Sequence, residues 1–314
     1  MEKTPDLGSL FAPRAIAVIG ATSKPGRVGH IVFEGLLRSG RPVHPVHPKE
    51  TEVLGRPVSR SVDELPEDVD LAVITIGAAR AVEAAEQCAR RGVRFVVVVA
   101  GGFGEAGEAG RDLEERLRRI PRETATRVLG PNTLGLFVPH ERIDTLFVEH
   151  GDEALAAGGG VAFVTQSGSV GVEALGLASN IGFGMRAFVG LGNKCDLDEL
   201  DFLGHFAEDD GARCLAFYVE SLESGRRFLA AAREVSGRKP VVLLKAGRTA
   251  AGAEAVSSHT GRLAGSDRVM DGALVQHGIQ RVFDDEELCD ASRTLALAPI
   301  QIGRASCRER VCHR

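Results

Sequence analysis

Uninterrupted apolar runs of four to six residues recur along this chain, and most lead into segments whose apolar residues return every three to four positions. In the first half strands are read at 15–19, 43–47 (where His44 and His47 interrupt the apolar positions), 71–76 and 95–100, with amphipathic stretches at 28–39 and 79–91 between them. A strand that is apolar at every position must be covered on both faces, which is the condition of a parallel sheet sandwiched by helices. A polar stretch rich in Gly and Ala follows at 151–159, and then the alternation restarts. Strands are predicted at 161–164, 185–189, 215–219 and 241–244, and helices at 170–180, 197–207, 226–236 and 286–297. The pattern predicts an α/β fold of two doubly wound parallel-sheet domains in tandem, 1–145 and 151–300, alike in architecture but with no obvious shared sequence.

Length and composition agree: 314 residues suffice for two domains, and 44% hydrophobic with 26% charged residues can fill two cores and stay in water. A net charge of -5, no Trp and one Tyr give neither the basic footprint nor the stacking platforms of a nucleic-acid binder. The apolar runs are far too short to span a bilayer, and the N-terminal residues lack the charged-then-apolar order of a signal segment. Cys88, Cys195, Cys214 and Cys289 are scattered, as in a protein of the reducing cytoplasm. Residues 302–314 break the pattern. The ten residues from Ile302 to Val311 read as the translation of a sequencing-library adapter, so this tail is set apart from the fold and the natural chain is expected to continue past Gln301.

The first run ends in Gly20-Ala21-Thr22-Ser23-Lys24-Pro25-Gly26-Arg27-Val28-Gly29. A glycine loop between a strand and a helix start offers backbone N–H groups and a positive dipole end to a phosphate. A nicotinamide dinucleotide would call for G-x-G-x-x-G and for an acid at the end of the second strand. Here the second glycine comes late, after a proline, and the second strand ends in His47-Pro48-Lys49. A lysine there favours a further phosphate, as on coenzyme A; the competing reading is a structural turn without ligand. The fourth strand ends in Ala100-Gly101-Gly102, small residues that let backbone approach a bound chain.

The second domain repeats the device with Thr165-Gln166-Ser167-Gly168-Ser169, hydroxyls at a helix start that suit a phosphate, or else simply cap the helix. A hydrolase nucleophile would need G-x-S-x-G, and Thr165 stands at the first glycine position. Glu220 follows the strand at 215–219, where a carboxylate can orient an imidazole; as a bland alternative it is an exposed loop acid. Ser257-Ser258-His259-Thr260-Gly261 sets one imidazole among small residues, with no apolar stripe and no second ligand at metal spacing. That context suits a nucleophile or a carrier of a transferred group, and equally a solvated loop histidine.

Taken in order, the Gly20–Gly29 loop, Gly130-Pro131-Asn132, Thr165–Ser169, Tyr218-Val219-Glu220-Ser221 and Ser257–Gly261 resemble the NDP-forming acyl-CoA synthetases. This is the superfamily of the succinyl-CoA synthetase α subunit, and the nearest variety is the ADP-forming acetate–CoA ligase type. The resemblance runs from about residue 10 to residue 297. It implies a Rossmann-like CoA-binding domain followed by a flavodoxin-like ligase domain. It further implies that Gly20, Ala21, Thr22, Pro25 and Gly26 hold coenzyme A with Lys49 as a charge partner, and that Ala100, Gly101 and Gly102 form a second contact. His259 would carry a phosphoryl group, Glu220 would hydrogen-bond the imidazole, and Ser167, Gly168 and Ser169 would hold the phosphate. Asn132 and Val172 would face the substrate; Val172 stands where succinate-specific members carry a tyrosine, which argues against succinate. ADP or ATP with Mg2+ would need an ATP-grasp segment, expected on a partner β subunit or in a missing C-terminal region of an oligomeric, cytoplasmic enzyme. Two rival expectations are a non-catalytic CoA-sensing module of a fused acetyltransferase and an NAD-dependent oxidoreductase.

Overall fold

The computed structural model describes residues 6–148, 159–181, 184–249, 252, 254 and 267–298. The first sheet is built from β1 (Ala15–Ile19), β2 (Val43–Val46), β5 (Val69–Ile74), β6 (Phe95–Val98) and β7 (Arg127–Leu129), with β3 (Glu52–Val53) and β4 (Arg56–Pro57) forming a small separate hairpin. The order is β2-β1-β5-β6-β7 and every pairing is parallel. Beyond the hairpin, Ser59 makes a single parallel bridge to Val46. The third strand of a dinucleotide-type sheet is thus reduced to one residue outside β2, and the direction of winding reverses between β1 and β5. The covering helices are α1 (Gly8–Phe11), α2 (Val28–Leu37), α3 (Ala78–Arg90) and α4 (Glu108–Glu123).

The second sheet holds β8 (Leu136–Val138), β9 (Ile143–Asp144), β10 (Val161–Thr165), β11 (Met185–Gly190), β12 (Cys214–Val219), β13 (Val241–Lys245) and β14 (Gln280–Val282). Their order is β14-β13-β12-β10-β11-β8-β9. The five strands from β10 onward are parallel and follow the flavodoxin-like 2-1-3-4-5 order, reversing between β10 and β12. β8 and β9 add an antiparallel edge, so the chain joins this sheet ahead of the Gly/Ala-rich stretch. Helices α5 (Gly168–Ile181), α6 (Glu199–Glu208), α7 (Gly225–Ser236), α8 (Asp267–Gln276) and α9 (Asp285–Leu297) complete it.

Two differences from the sequence pattern have physical causes. The strand expected at 71–76 begins at Val69, because Asp70 sits inside it as a buried polar residue. Its carboxylate takes a two-point bond from Arg14 (2.8 and 2.8 Å) and one from the Arg14 backbone N–H (2.9 Å), which satisfies a charge the apolar pattern cannot show. Helix α4 has no counterpart in the apolar pattern because its sequence, EAGRDLEERLRRIPRE, is dominated by charge; it buries only Gly110, Glu114, Leu117 and Ile120.

The two sheets share one continuous apolar cluster, from Leu10, Val18 and Phe33 to Leu136, Val164 and Phe217. Burying each such side chain contributes about 1.5–3 kcal/mol. Phe11 of α1 stacks on His205 of α6 at 4.5 Å and meets Phe202 and Phe206 edge-on. Next to that cluster, residues 193–197 run along 128–131. The Asn193, Cys195 and Leu197 N–H groups donate to the carbonyls of Pro131 (2.9 Å), Gly130 (3.0 Å) and Val128 (3.2 Å). Arg127 closes the strap with a two-point bond to Asp196 (2.8 and 2.9 Å). This packing points residues from the carboxyl ends of both sheets into one cleft. No described helix is long and apolar enough to cross a membrane.

Candidate active site

At the end of β1, Gly20 takes φ +96°, and a Cβ there would lie 2.5 Å from Ile76 Cγ2 and 2.8 Å from Thr75 Oγ1. Gly29, at the start of α2, is closer still: its Cβ would stand 2.0 Å from the Gly20 carbonyl oxygen. The helix start therefore abuts the strand end, the packing that the third glycine of a phosphate-binding turn permits. Between them Ala21 is buried, and Pro25 and Gly26 form an exposed tip with Gly26 at φ +75°. Thr22 Oγ1 donates to Glu50 (2.5 Å) and the Ser23 N–H donates to the same carboxylate (2.9 Å). The Thr22 bond holds the Glu50 carboxyl down to about 2. An acid thus does follow the second strand, and its oxygens are engaged in holding the loop.

A cavity of about 430 Å³ opens over this turn, at the reversal between β1 and β5. Lys24, Arg27 and Arg80 supply its cations, and Gly20, Thr22, His47 and Thr75 also line it. Lys49 stands outside the lining; its backbone N–H donates to His47 Nδ1 (3.2 Å). Ala100, Gly101 and Gly102 also lie outside it. The Gly102 N–H donates to Glu105 (2.6 Å), and a Cβ on Gly101 would come within 3.1 Å of Asn132 Oδ1. The donor set, three cations with a backbone turn, fits an anion of several charges such as a phosphorylated nucleotide.

A second cavity, of about 540 Å³, lies in the cleft between the sheets. Ser167, Gly168 and Ser169 line it from the start of α5, where the first N–H groups of a helix lack intrahelical partners. The two serine Oγ atoms are 3.1 Å apart, and the Ser167 N–H is turned onto Thr165 Oγ1 (3.1 Å). Glu220 lines the cavity from the end of β12, next to β10 at the reversal of this sheet. It is 8% exposed, which rules out the solvated-loop reading. Its backbone N–H and that of Ser221 donate to Gln166 Oε1 (3.0 and 3.2 Å). Asn132, at φ +58°, reaches the cavity from the first sheet.

Two family descriptions match the chain in succession. One, "CoA binding domain", covers residues 14–139; the other, "Succinyl-CoA ligase like flavodoxin domain", covers 158–295. The chain belongs to the NDP-forming acyl-CoA synthetase superfamily. It is 38% identical over 299 residues to the ADP-forming acetate–CoA ligase I subunit alpha of Pyrococcus furiosus, covering 93% of this chain and 64% of that protein. Against the ADP-forming acetate–CoA ligase I of Archaeoglobus fulgidus the identity is 40% over 281 residues, with 90% and 40% covered. Among solved structures, the dinucleotide-forming acetyl-coenzyme A synthetase 1 of Ca. Korarchaeum cryptofilum, in complex with phosphate and ADP, superposes with a TM-score of 0.89 at 36% identity. That alignment covers 95% of this chain and 64% of the other. The chain thus spans less than two thirds of each of these relatives.

In this chain the first family match holds the whole first sheet together with β8, the second holds the five parallel strands of the second sheet, and the cleft between the sheets gathers Asn132, Ser167, Gly168, Ser169 and Glu220. Val172 does not join them; it is 40% exposed and outside the lining. His259 lies outside the described residues, in the stretch between Glu254 and Asp267. The described chain leaves at Thr249, just past the carboxyl end of β13, the neighbour of β12.

The cleft also contains residues with no motif to announce them. Asn193 donates to Glu105 (2.6 Å) and to Glu114 (2.9 Å), while Asn132 donates to Asn193 (3.3 Å). Burial raises the Glu105 carboxyl, but the Asn193 bond and the Gly102 and Phe103 N–H groups outweigh it and leave the pKa lowered. Only the fold brings these positions together, because they come from three separate loops and a helix. No group of three or more His, Cys, Asp or Glu suited to a metal occurs among the described residues.

Proposed function

We propose that this chain is the CoA-binding and phosphoryl-carrying core of an ADP-forming acyl-CoA synthetase, with 1–145 and 151–300 as its two modules, β8 and β9 of the first lending an edge to the sheet of the second, and with 302–314 as an adapter-derived tail. The reaction is acyl-CoA, phosphate and ADP going to a carboxylic acid, CoA and ATP. The observation that carries the reading is the pairing of a cationic glycine-turn cavity with a second cavity lined by the Ser167–Ser169 helix start and Glu220.

A phosphate oxygen attacks the thioester carbonyl; the C–S bond breaks, giving an acyl phosphate and free thiol. A ring nitrogen of His259 then attacks phosphorus, and the carboxylic acid leaves as its anion. ADP takes the phosphoryl group from His259 and becomes ATP. Glu220 accepts the hydrogen bond of the other ring nitrogen and stabilises the charge that develops on the imidazole. Ser167, Gly168 and Ser169 hold the phosphoryl oxygens at the start of α5, where the dipole contributes about 0.3–1 kcal/mol and more in a dry site. Asn132 faces the acyl group. Nucleotide and Mg2+ are held by an ATP-grasp segment on a β subunit or in a further part of the chain, within an oligomeric cytoplasmic enzyme.

Coenzyme A has its phosphates in the Lys24, Arg27 and Arg80 cavity and runs past Ala100–Gly102 toward the cleft. Calorimetry should show coenzyme A binding more tightly than NAD; the reverse order would reject this reading in favour of an oxidoreductase. Arg80→Ala should weaken coenzyme A binding about tenfold, one charge-assisted contact to a phosphate. Lys49→Ala should cost less, since Lys49 stands outside the cavity lining. A larger loss from Lys49 would move the phosphate site to the strand end.

A further inference from the structure

We infer that the buried pair Lys194–Glu199 is a positioning device that holds Glu220 in place at the cleft; the inference rests on the reading of Glu220 given above. The side chains of Lys194 and Glu199 are 0% and 1% exposed and meet at 2.9 Å. Each also grips the loop that carries Glu220. Lys194 Nζ donates to the Ser221 carbonyl oxygen (2.7 Å), and Glu199 Oε1 accepts from the Glu223 N–H (3.2 Å). From the opposite side Gln166 Oε1 receives the Glu220 and Ser221 N–H groups. The backbone on both sides of the Ser221 peptide is therefore bonded to groups that are themselves fixed.

The pair is poorly explained as a source of stability. Two buried charges cost their hydration, and apolar residues of similar volume often serve the fold as well. Lys194 also holds φ +56°, a region that a side chain with Cβ seldom occupies. The backbone conformation and the desolvation are both accepted at the residue next to Asn193, whose side chain reaches Glu105 and Glu114 of the first module. One dipeptide thus fastens the first module with one side chain and the Glu220 loop with the next. The consequence is that Glu220 has a fixed position relative to the cleft where the two modules meet.

The test uses this chain with acetyl phosphate labelled at phosphorus, so no nucleotide-binding partner is needed. The double variant Lys194→Met with Glu199→Met removes both charges and leaves no lone buried ion. It should keep its melting temperature and its affinity for coenzyme A, yet acquire acid-labile label at least tenfold more slowly. Glu220→Gln alone should slow labelling, and adding the double variant to it should slow it by no more than a further twofold, because the pair acts through Glu220. If the double variant does not fold, the same cycle is run with Glu199→Gln, which keeps an acceptor toward the Glu223 N–H. Labelling at the wild-type rate, or an undiminished extra loss in the Glu220→Gln background, overturns the inference. If Glu220→Gln itself labels normally, the reading of Glu220 fails, and the inference fails with it.

Discussion

His259→Ala should leave this chain without acid-labile, base-stable phosphoryl label, whether the donor is acetyl phosphate or ATP supplied with a nucleotide-binding partner. The expected loss is at least about a thousandfold, since removing the nucleophile of a covalent step removes the step and leaves only what binding contributes. The label is a phosphoramidate, and that bond is stable to base and cleaved by acid. Glu220→Gln should slow labelling by roughly a hundredfold, at the lower end of what acid–base groups contribute. It should leave coenzyme A binding unchanged, because the cationic cavity lies on the other sheet. Label that survives His259→Ala would reject the mechanism. A wild-type chain that takes no label from a competent donor would favour the CoA-sensing reading.

The residues named for this chemistry were readable to different degrees, and the reason is local in each case. Glycine turns and helix starts are written in consecutive residues, so Gly20, Gly29 and the Ser167–Ser169 turn could be found without the fold. Glu220 could be found because it directly follows an apolar strand, although its burial could not. The cations were harder. Lys49 is adjacent to a strand end in sequence, whereas Arg80 enters the cavity from the first turn of α3 because β5, which precedes that helix, lies beside β1. Asn193, Lys194 and Glu199 follow no spacing rule at all. Their partners are Glu105, Glu114, Ser221 and Glu223, set in place only once 193–197 lies along 128–131. Short β7, β8 and β9 escaped the pattern for a related reason: two or three residues are too few to show a period.

Gly29→Ala should abolish coenzyme A binding while the nearby Gly26→Ala leaves it close to wild type. The added methyl at Gly29 would lie 2.0 Å from the Gly20 carbonyl oxygen and 2.9 Å from Thr75 Oγ1. The first of these is backbone, held in turn by the bond from the Gly20 N–H to the Val46 carbonyl (2.9 Å), so it cannot swing aside as a side chain would. The start of α2 must then move away from the end of β1, and the turn that presents N–H groups to a phosphate opens. Overpacking of this kind costs about 1–3 kcal/mol, occasionally more. That corresponds to a fall in melting temperature of several degrees at roughly 2–4 °C per kcal/mol. Gly26 has nothing within 4 Å of a built Cβ, and its substitution should cost only the left-handed conformation, about 1 kcal/mol. Calorimetry with coenzyme A and thermal melts of both variants separate the two effects. Equal affinities would mean that the tight strand–helix junction does not shape the coenzyme site, and the cationic side chains alone would then have to account for binding.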